Sequence, residues 1–197
     1  MTARAVPFSA VLLFMLALPG GAGAANIPAV AVAEFYAPTP VGSFEGMVPE
    51  RFAADDLSAQ LVSAGAGRLA LVPRARVEQA EASLRWHNED ALRFARLTAL
   101  ARAVGVNELV VGWITSLSVE TGGHQTFPPD GGGNGAPTGD ATVVVQVFSA
   151  AQGRIVAETR QWASTTGFVR ELLAERALHE ALSPTVPGLI RTLVEQP

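Results

Sequence analysis

The chain has 197 residues, of which 49% are hydrophobic and 16% charged, and its formal net charge is -4 at pH 7. This length suits one domain, and the apolar content is too high for a disordered chain. The acidic balance and an aromatic content of 7% argue against a nucleic-acid-binding surface. Cysteine is absent, which excludes disulfides, thiolate chemistry, cysteine-bound metals and a lipid-anchored cysteine within this sequence.

The first 24 residues have the pattern of a cleavable signal peptide. Arg4 precedes an apolar stretch over residues 8–18, and Ala22-Gly23-Ala24 supplies the small residues that a signal peptidase needs, so cleavage is expected after Ala24. The apolar stretch is shorter than the roughly 20 residues that cross a bilayer, and no transmembrane segment is expected in the mature chain. Export is therefore predicted, and the lack of cysteine and of glycosylation sequons favours a bacterial periplasm.

The mature chain, residues 25–197, reads as alternating strands and helices that end in antiparallel strands. Short apolar runs predict five strands, and apolar positions three or four residues apart predict five helices. The predicted order is β-α-β-α-α-β-β-β-α-α. Two strand-helix-strand crossovers imply a parallel core, which the last strands extend as a meander. We therefore expect a single α/β domain with a mixed sheet. The predicted strands cover 29–35, 69–72, 109–119, 141–149 and 154–163, and the helices begin near Pro49, Val77, Asn88, Val169 and Ser183.

Glycines mark several of the predicted boundaries. Gly65 and Gly67 are expected to end the first helix as left-handed caps, Gly105 to stop the third, and Gly153 to turn the last hairpin. The segment 121–139 holds seven glycines and three prolines, so it is predicted to be a flexible insertion at a strand junction. It is either a tolerated linker or a segment that orders on binding.

The sequence carries no recognisable catalytic motif. The glycines in 63–68 follow a helix and open a strand, the reverse of a phosphate-binding loop, and no Gly-x-Ser-x-Gly elbow occurs. His87, His124 and His179 do not stand at metal-ligand spacing. We therefore expect no catalytic residue, no metal and no cofactor. Core or edge packing is the predicted role of the three tryptophans, Trp86, Trp113 and Trp162.

Three residues at predicted strand ends form the candidate binding site. Glu34 ends the first apolar strand, and Arg74 and Arg76 follow the second. Because α/β folds bind ligands at the carboxyl edge of their parallel strands, these side chains are candidates for holding a small polar ligand. The alternative is structural: Glu34 is hydrogen-bonded within the fold, and the arginines form solvated ion pairs with acids such as Glu78.

Four segments together resemble periplasmic domains with an anticodon-binding-domain-like fold. They are the opening strand at 30–35, the second strand and short helix at 67–76, the glycine-containing third strand within 101–114, and the last hairpin at 147–156. The family includes the curli secretion lipoprotein, the amino-terminal domain of the Tol-system propeller protein, a flagellar assembly protein and lipoprotein activators of penicillin-binding proteins. The resemblance implies a non-enzymatic envelope module that binds protein partners. It transfers no functional residue, because the shared positions are structural.

Two functions of different class follow. The first is an exported protein-binding module that assists envelope assembly, secretion or regulation, using a sheet edge, a helix face or the 121–139 segment. The second is an envelope enzyme or small-molecule-binding protein that uses Glu34, Arg74 and Arg76. No nucleic-acid partner is expected in either case.

Overall fold

The computed structural model describes residues 27–37, 46–120, 136–167 and 169–195. Within these ranges the chain forms five strands, five α-helices and two 3₁₀ turns. The strands are β1 (Ala29–Val32), β2 (Ala70–Leu71), β3 (Glu108–Glu120), β4 (Thr138–Ser149) and β5 (Arg154–Thr166). The helices are α1 (Pro49–Ala64), α2 (Arg74–Ser83), α3 (Phe94–Val104), α4 (Arg170–Leu182) and α5 (Val186–Glu195), and the 3₁₀ turns are Asn88–Leu92 and Ser183–Thr185.

The strands form one mixed sheet in the order β2-β1-β3-β4-β5. β1 pairs in parallel with both β2 and β3, whereas β3, β4 and β5 form an antiparallel meander. Both parallel pairings follow strand-helix-strand crossovers. The predicted element order and the single α/β domain with a mixed sheet are therefore confirmed.

Each face of the sheet has its own hydrophobic core. The apolar residues of α1, α4 and α5 pack on one face against alternate residues of β1, β3 and β4. Those of α2 and α3 pack on the other face, against β1, the start of β3 and Phe148. The sheet is thus covered on both faces at its parallel end. Beyond Phe148 the second core contains no further residue of β4.

Three of the four glycine expectations are confirmed and one is wrong. Gly105 and Gly153 adopt positive φ values of 82° and 65°, the left-handed conformation that side chains disfavour. Gly67 is also left-handed, but Gly65 has φ -96° and ends α1 by donating its N–H to the Leu61 oxygen at 2.8 Å. Gly65 instead avoids a clash, because a Cβ there would lie 2.7 Å from that oxygen.

The start of the third helix also differs from the prediction. Asn88 does not cap α3; it opens a separate 3₁₀ turn, and α3 begins at Phe94. The backbone N–H of His87 donates to the Asp90 carboxylate at 3.0 Å, so the acid stabilises the 3₁₀ turn and not the end of α3. Capping preferences in the sequence could not distinguish the start of the 3₁₀ turn from the start of α3, because both elements begin with unsatisfied N–H groups.

Several predicted segments lie wholly or partly outside the described residues. They include the signal peptide at 1–24, His124 and residues 121–135 of the glycine-rich segment. The end of that segment is not loop: Thr138 and Gly139 belong to β4, where they pair with β3 and β5. None of the helices in the described ranges is long and apolar enough to span a membrane.

Candidate functional site

The chain itself fills the crevice at the carboxyl end of β1. In α/β sheets this crevice opens between strands whose connections leave in opposite directions, which here are β1 and β3. After β1 the backbone continues beside β3: the N–H of Tyr36 donates to the Gly112 oxygen at 2.9 Å, and the N–H of Ile114 donates to the Tyr36 oxygen at 2.8 Å. Phe35 is fully buried, and its ring lies against Gly112 of β3. The usual ligand position of such folds is therefore occupied by the protein's own residues.

Arg74 ties three elements together at this end of the sheet. Its Nη1 donates to the Val32 oxygen at 2.6 Å, and its Nε donates to the Asp55 carboxylate of α1 at 2.9 Å. Its Nη2 lies 3.9 Å from the Glu78 carboxylate, the ion pair that the structural alternative predicted. Only 16% of the side chain is exposed. Arg74 thus joins α2 to β1 and α1.

Glu34 meets a buried acid that sequence reasoning missed. The backbone N–H of Glu34 donates to Oε1 of Glu81, a residue of α2 that is 5% exposed. Burial raises the pKa of the Glu81 carboxyl, against the opposing effects of this hydrogen bond and of the positive charge on Arg74. The signal was present in the sequence, since Glu81 stands four residues after Val77 on the apolar face of its helix.

The three predicted residues do not form one cluster. Glu34 and Arg74 both contact partners around the end of β1. Arg76 is exposed and lies near Gly105, at the end of α3. Its Nη2 is 3.5 Å from the position that a Cβ on Gly105 would occupy. The arrangement brings Arg74 to the carboxylates of Asp55 and Glu78, and leaves Arg76 beside a different element.

Glu81→Gln is expected to raise the midpoint of thermal unfolding at pH 7. An acid whose pKa is raised by folding stabilises the folded state below its unfolded pKa, about 4.3, and loses that contribution as the pH rises through the folded pKa. Glutamine keeps an oxygen for the Glu34 N–H and carries no charge to bury. The gain should therefore be present at pH 7 and disappear near pH 4, as measured by calorimetry.

A matched control for this prediction is Glu78→Gln, which removes a carboxylate from a half-buried position of the same helix. It should not reproduce the pH-dependent gain. If Glu81→Gln is less stable than the wild type at pH 7, the attraction between Glu81 and Arg74 outweighs the cost of burial and our expectation is wrong.

The histidines in the described ranges lie on the surface or in turns. Nδ1 of His179 lies 3.0 Å from the Asp56 carboxylate, and the Gln60 amide lies 3.2 Å from the same nitrogen. These contacts join α4 to α1. Within the ranges that the structure describes, no group of three histidine, aspartate or glutamate side chains is placed to hold a metal ion.

A second candidate surface lies on the sheet face that α2 and α3 leave uncovered. We call it the open sheet face. Trp162 of β5 is 65% exposed on it, and Thr142 is its partner on β4. Trp113, Val144 and Arg160 stand side by side across three strands. Since side chains alternate along a strand, the open sheet face is made of Trp113, Thr142, Gln146, Glu158, Arg160 and Trp162, which surround the buried Val144.

One further apolar residue borders the open sheet face. Phe94, at the start of α3, is 51% exposed, and its ring centroid lies 5.8 Å from that of Phe148. Large exposed apolar side chains near one another are a common mark of interaction sites.

The exposure of Trp162 corrects the prediction that all three tryptophans pack in the core or at its edge. A signal for it was available. Along β5, Glu158, Arg160 and Ser164 occupy the same alternate positions as Trp162. A tryptophan that shares its strand face with charged residues faces solvent, because those charges are costly to bury.

The same fold occurs in two solved structures. Lipoprotein GNA1162 from Neisseria meningitidis matches with a TM-score of 0.54 and 12% sequence identity, covering 84% of this chain and 99% of that one. The hypothetical protein CT253 from Chlamydia trachomatis matches with a TM-score of 0.53 and 12% identity, covering 86% of this chain and 99% of that one. At these identities the likeness establishes the fold, an α/β domain of this class.

The C-terminal domain of LpoB from Escherichia coli is also similar, with a TM-score of 0.45 and 16% identity over 73% of this chain and 87% of that one. The fold assignment rests on the two higher scores. Neither a protein-family model nor a curated protein matches this sequence.

Proposed function

We propose that the mature chain is a non-enzymatic periplasmic module that binds a protein partner, assisting the assembly, secretion or regulation of an envelope machine. The observation that carries the proposal is the open sheet face, with Trp162 exposed on it and Phe94 at its border. Exposed aromatic anchors surrounded by polar residues are typical of protein-binding surfaces.

The polar part of the open sheet face has the composition of an interface rim. Gln146 donates from its Nε2 to the Glu158 carboxylate, so both side chains are held in place on the surface. Thr142 supplies a hydroxyl beside Trp162. An exposed tryptophan beside adaptable polar groups would favour a partner that offers a groove for the indole.

The envelope location is supported by the signal-peptide pattern of residues 1–24 and by the resemblance of the sequence to periplasmic domains. It is also supported by the shared fold with GNA1162, which is itself a lipoprotein. These observations concern location and class, and leave the identity of the partner to experiment.

A ligand site at the end of β1 is the second candidate. One observation favours it: Nη2 of Arg74 is buried and has no hydrogen-bond partner among the described residues. The rest of that guanidinium is already bonded to Val32 and Asp55. A ligand would have to displace these contacts, so protein binding is the better supported function.

Trp162→Ser is expected to reduce the recovery of the partner at least tenfold when the tagged protein is crosslinked in its native envelope and the captured proteins are identified by mass spectrometry. Removing an aromatic anchor of an interface commonly costs about 2 kcal/mol or more, which exceeds a tenfold change in affinity.

Leu172→Ser is the matched control, since this leucine is 56% exposed on α4, away from the open sheet face. It should leave the captured partner unchanged. Equal recovery by the wild type and Trp162→Ser would exclude the open sheet face as the partner surface, and a wild type that captures nothing above background would overturn the protein-binding function itself.

A further inference from the structure

The outer edge of β5 is long and unpaired among the described residues. β5 has 13 residues and lies last in the sheet order, so its other side pairs with no described strand. The strand contains neither proline nor lysine, which commonly block an exposed edge. The opposite edge strand, β2, has only two residues. The β5 edge therefore offers a row of backbone donors and acceptors long enough to pair with another strand.

A groove runs beside this edge on the helix-covered face. It has a volume of about 170 Å³ and lies between Ala157–Thr159 of β5 and residues 184–192 of the turn and α5. Gly188 leaves it open on the helix side, because a Cβ there would meet nothing within 4 Å. A strand added to β5 would point alternate side chains towards this groove.

We propose that the β5 edge pairs with the β5 edge of a second copy of this chain, antiparallel, about a two-fold axis through Thr159. The charge pattern of β5 indicates that the added strand is β5 of a second copy. In this register Glu158 of each copy stands opposite Arg160 of the other, so the two-fold axis creates two identical ion pairs on the open side of the sheet. Both side chains are exposed in the single chain.

The same register fits the helix-covered side. Thr159 meets Thr159 of the second copy, a favourable cross-strand pair. Ala157 stands opposite Gln161 of the second copy, and the groove beside Ala157 has room for that longer side chain. Thr185 and Thr192 line the groove, and their hydroxyl groups can form hydrogen bonds with the side-chain amide of this Gln161.

The pairing goes beyond the proposed function and does not rest on it. Two antiparallel strands related by this axis continue one sheet, so ten strands would form a single surface with both open sheet faces on the same side. Partner binding through Trp162 and pairing through the β5 edge use different atoms: side chains on a sheet face in one case, the backbone edge in the other.

The first test is the molar mass of the purified mature protein, measured by light scattering and analytical ultracentrifugation, with charge variants at the two paired positions. The wild type is expected to be a dimer. Arg160→Glu and Glu158→Arg should each weaken self-association about tenfold or more, because each places like charges opposite each other at two symmetric positions. An equimolar mixture of the two variants should form a mixed dimer, since both cross-strand pairs become opposite in charge again.

The second test fixes the register and uses the absence of native cysteine. Thr159→Cys should crosslink to itself on mild oxidation, because opposed Cα atoms in an antiparallel pair lie about 4.5–5.5 Å apart, within disulfide reach. Ser164→Cys is the control: in this register its copies are about 34 Å apart and should not crosslink.

A monomeric wild type at about 100 µM, far above the dissociation constants of specific interfaces, would overturn the proposal. So would self-association that persists unchanged in both charge variants, or crosslinking of Ser164→Cys in preference to Thr159→Cys. Loss of partner capture by Trp162→Ser with a monomeric wild type would support the proposed function and reject the pairing.

Discussion

Gly112→Ala is expected to lower the free energy of unfolding by about 3 kcal/mol, the upper end of the usual cost of overpacking a core. A Cβ on Gly112 would lie 2.6 Å from Cζ and 2.9 Å from Cδ1 of the Phe35 ring. The ring cannot move aside, because Phe35 is fully buried and its backbone is held between α1 and β3: its N–H donates to the Glu50 oxygen, and the next residue pairs with Gly112.

Urea unfolding followed by circular dichroism measures this cost. Gly188→Ala is the matched control: the same change at an exposed position of α5 with no neighbouring atom should be neutral or stabilising by up to about 1 kcal/mol, since alanine is the better helix former. Phe35→Leu should partly rescue Gly112→Ala, so that the double variant loses less stability than the sum of the single losses. Additive losses would show that the ring does not cause the clash.

Asp90→Ala is expected to lower the free energy of unfolding by about 2–3 kcal/mol at pH 7, because it removes a charge-assisted hydrogen bond between a buried carboxylate and the partly exposed Arg96. Asp90 is 4% exposed and accepts a 2.7 Å hydrogen bond from Nη2 of Arg96. The same nitrogen donates to the backbone oxygens of Leu84 and Arg85. This pair holds the connection between α2 and α3, in which Arg85 has a positive φ of 50°.

The destabilisation by Asp90→Ala should depend on pH. The hydrogen bond from Arg96 lowers the pKa of the Asp90 carboxyl, although burial opposes it. An acid with a lowered pKa stabilises the folded state above its unfolded pKa, about 3.9, and loses that contribution as the pH falls through the folded pKa. The difference between wild type and variant should therefore be full at pH 7 and shrink below about pH 3.9.

Glu89→Ala is the control for the Asp90 variant. Glu89 is the preceding acid, its side chain is 70% exposed, and its carboxylate lies 3.6 Å from Arg93. Exposed pairs of this kind contribute little, so its loss should cost less than about 0.5 kcal/mol. A destabilisation by Asp90→Ala that is the same at pH 3 and pH 7 would attribute the effect to packing and not to charge.

Element order and sheet type could be predicted from the sequence because they depend on local signals. The apolar alternation of β1 and the helical spacing of Leu97, Leu100 and Val104 identify the elements, and both give buried residues in the structure. Gly105 and Gly153 mark turns that need positive φ. Crossover rules then fix the parallel pairing of β1 with its neighbours.

The candidate site could be predicted only in part, since it depends on partners far apart in the chain. The position of Arg74 directly after the second strand was enough to predict that it lies at the end of β1. The same reasoning did not distinguish Arg74 from Arg76. These residues stand two positions apart on a helix, so their side chains point in different directions. Nor did it reveal Glu81, whose hydrogen-bond partner Glu34 lies 47 residues away.

The sequence by itself determined the secondary structure, its order and the class of fold. Only the tertiary structure decided which surfaces are left open. Hydrophobic periodicity shows that a strand or helix has an apolar face, but whether that face is covered depends on where distant elements stop. Here α2 and α3 cover the parallel end of the sheet and reach no further than Phe148, so Trp162 is exposed although its strand was correctly predicted.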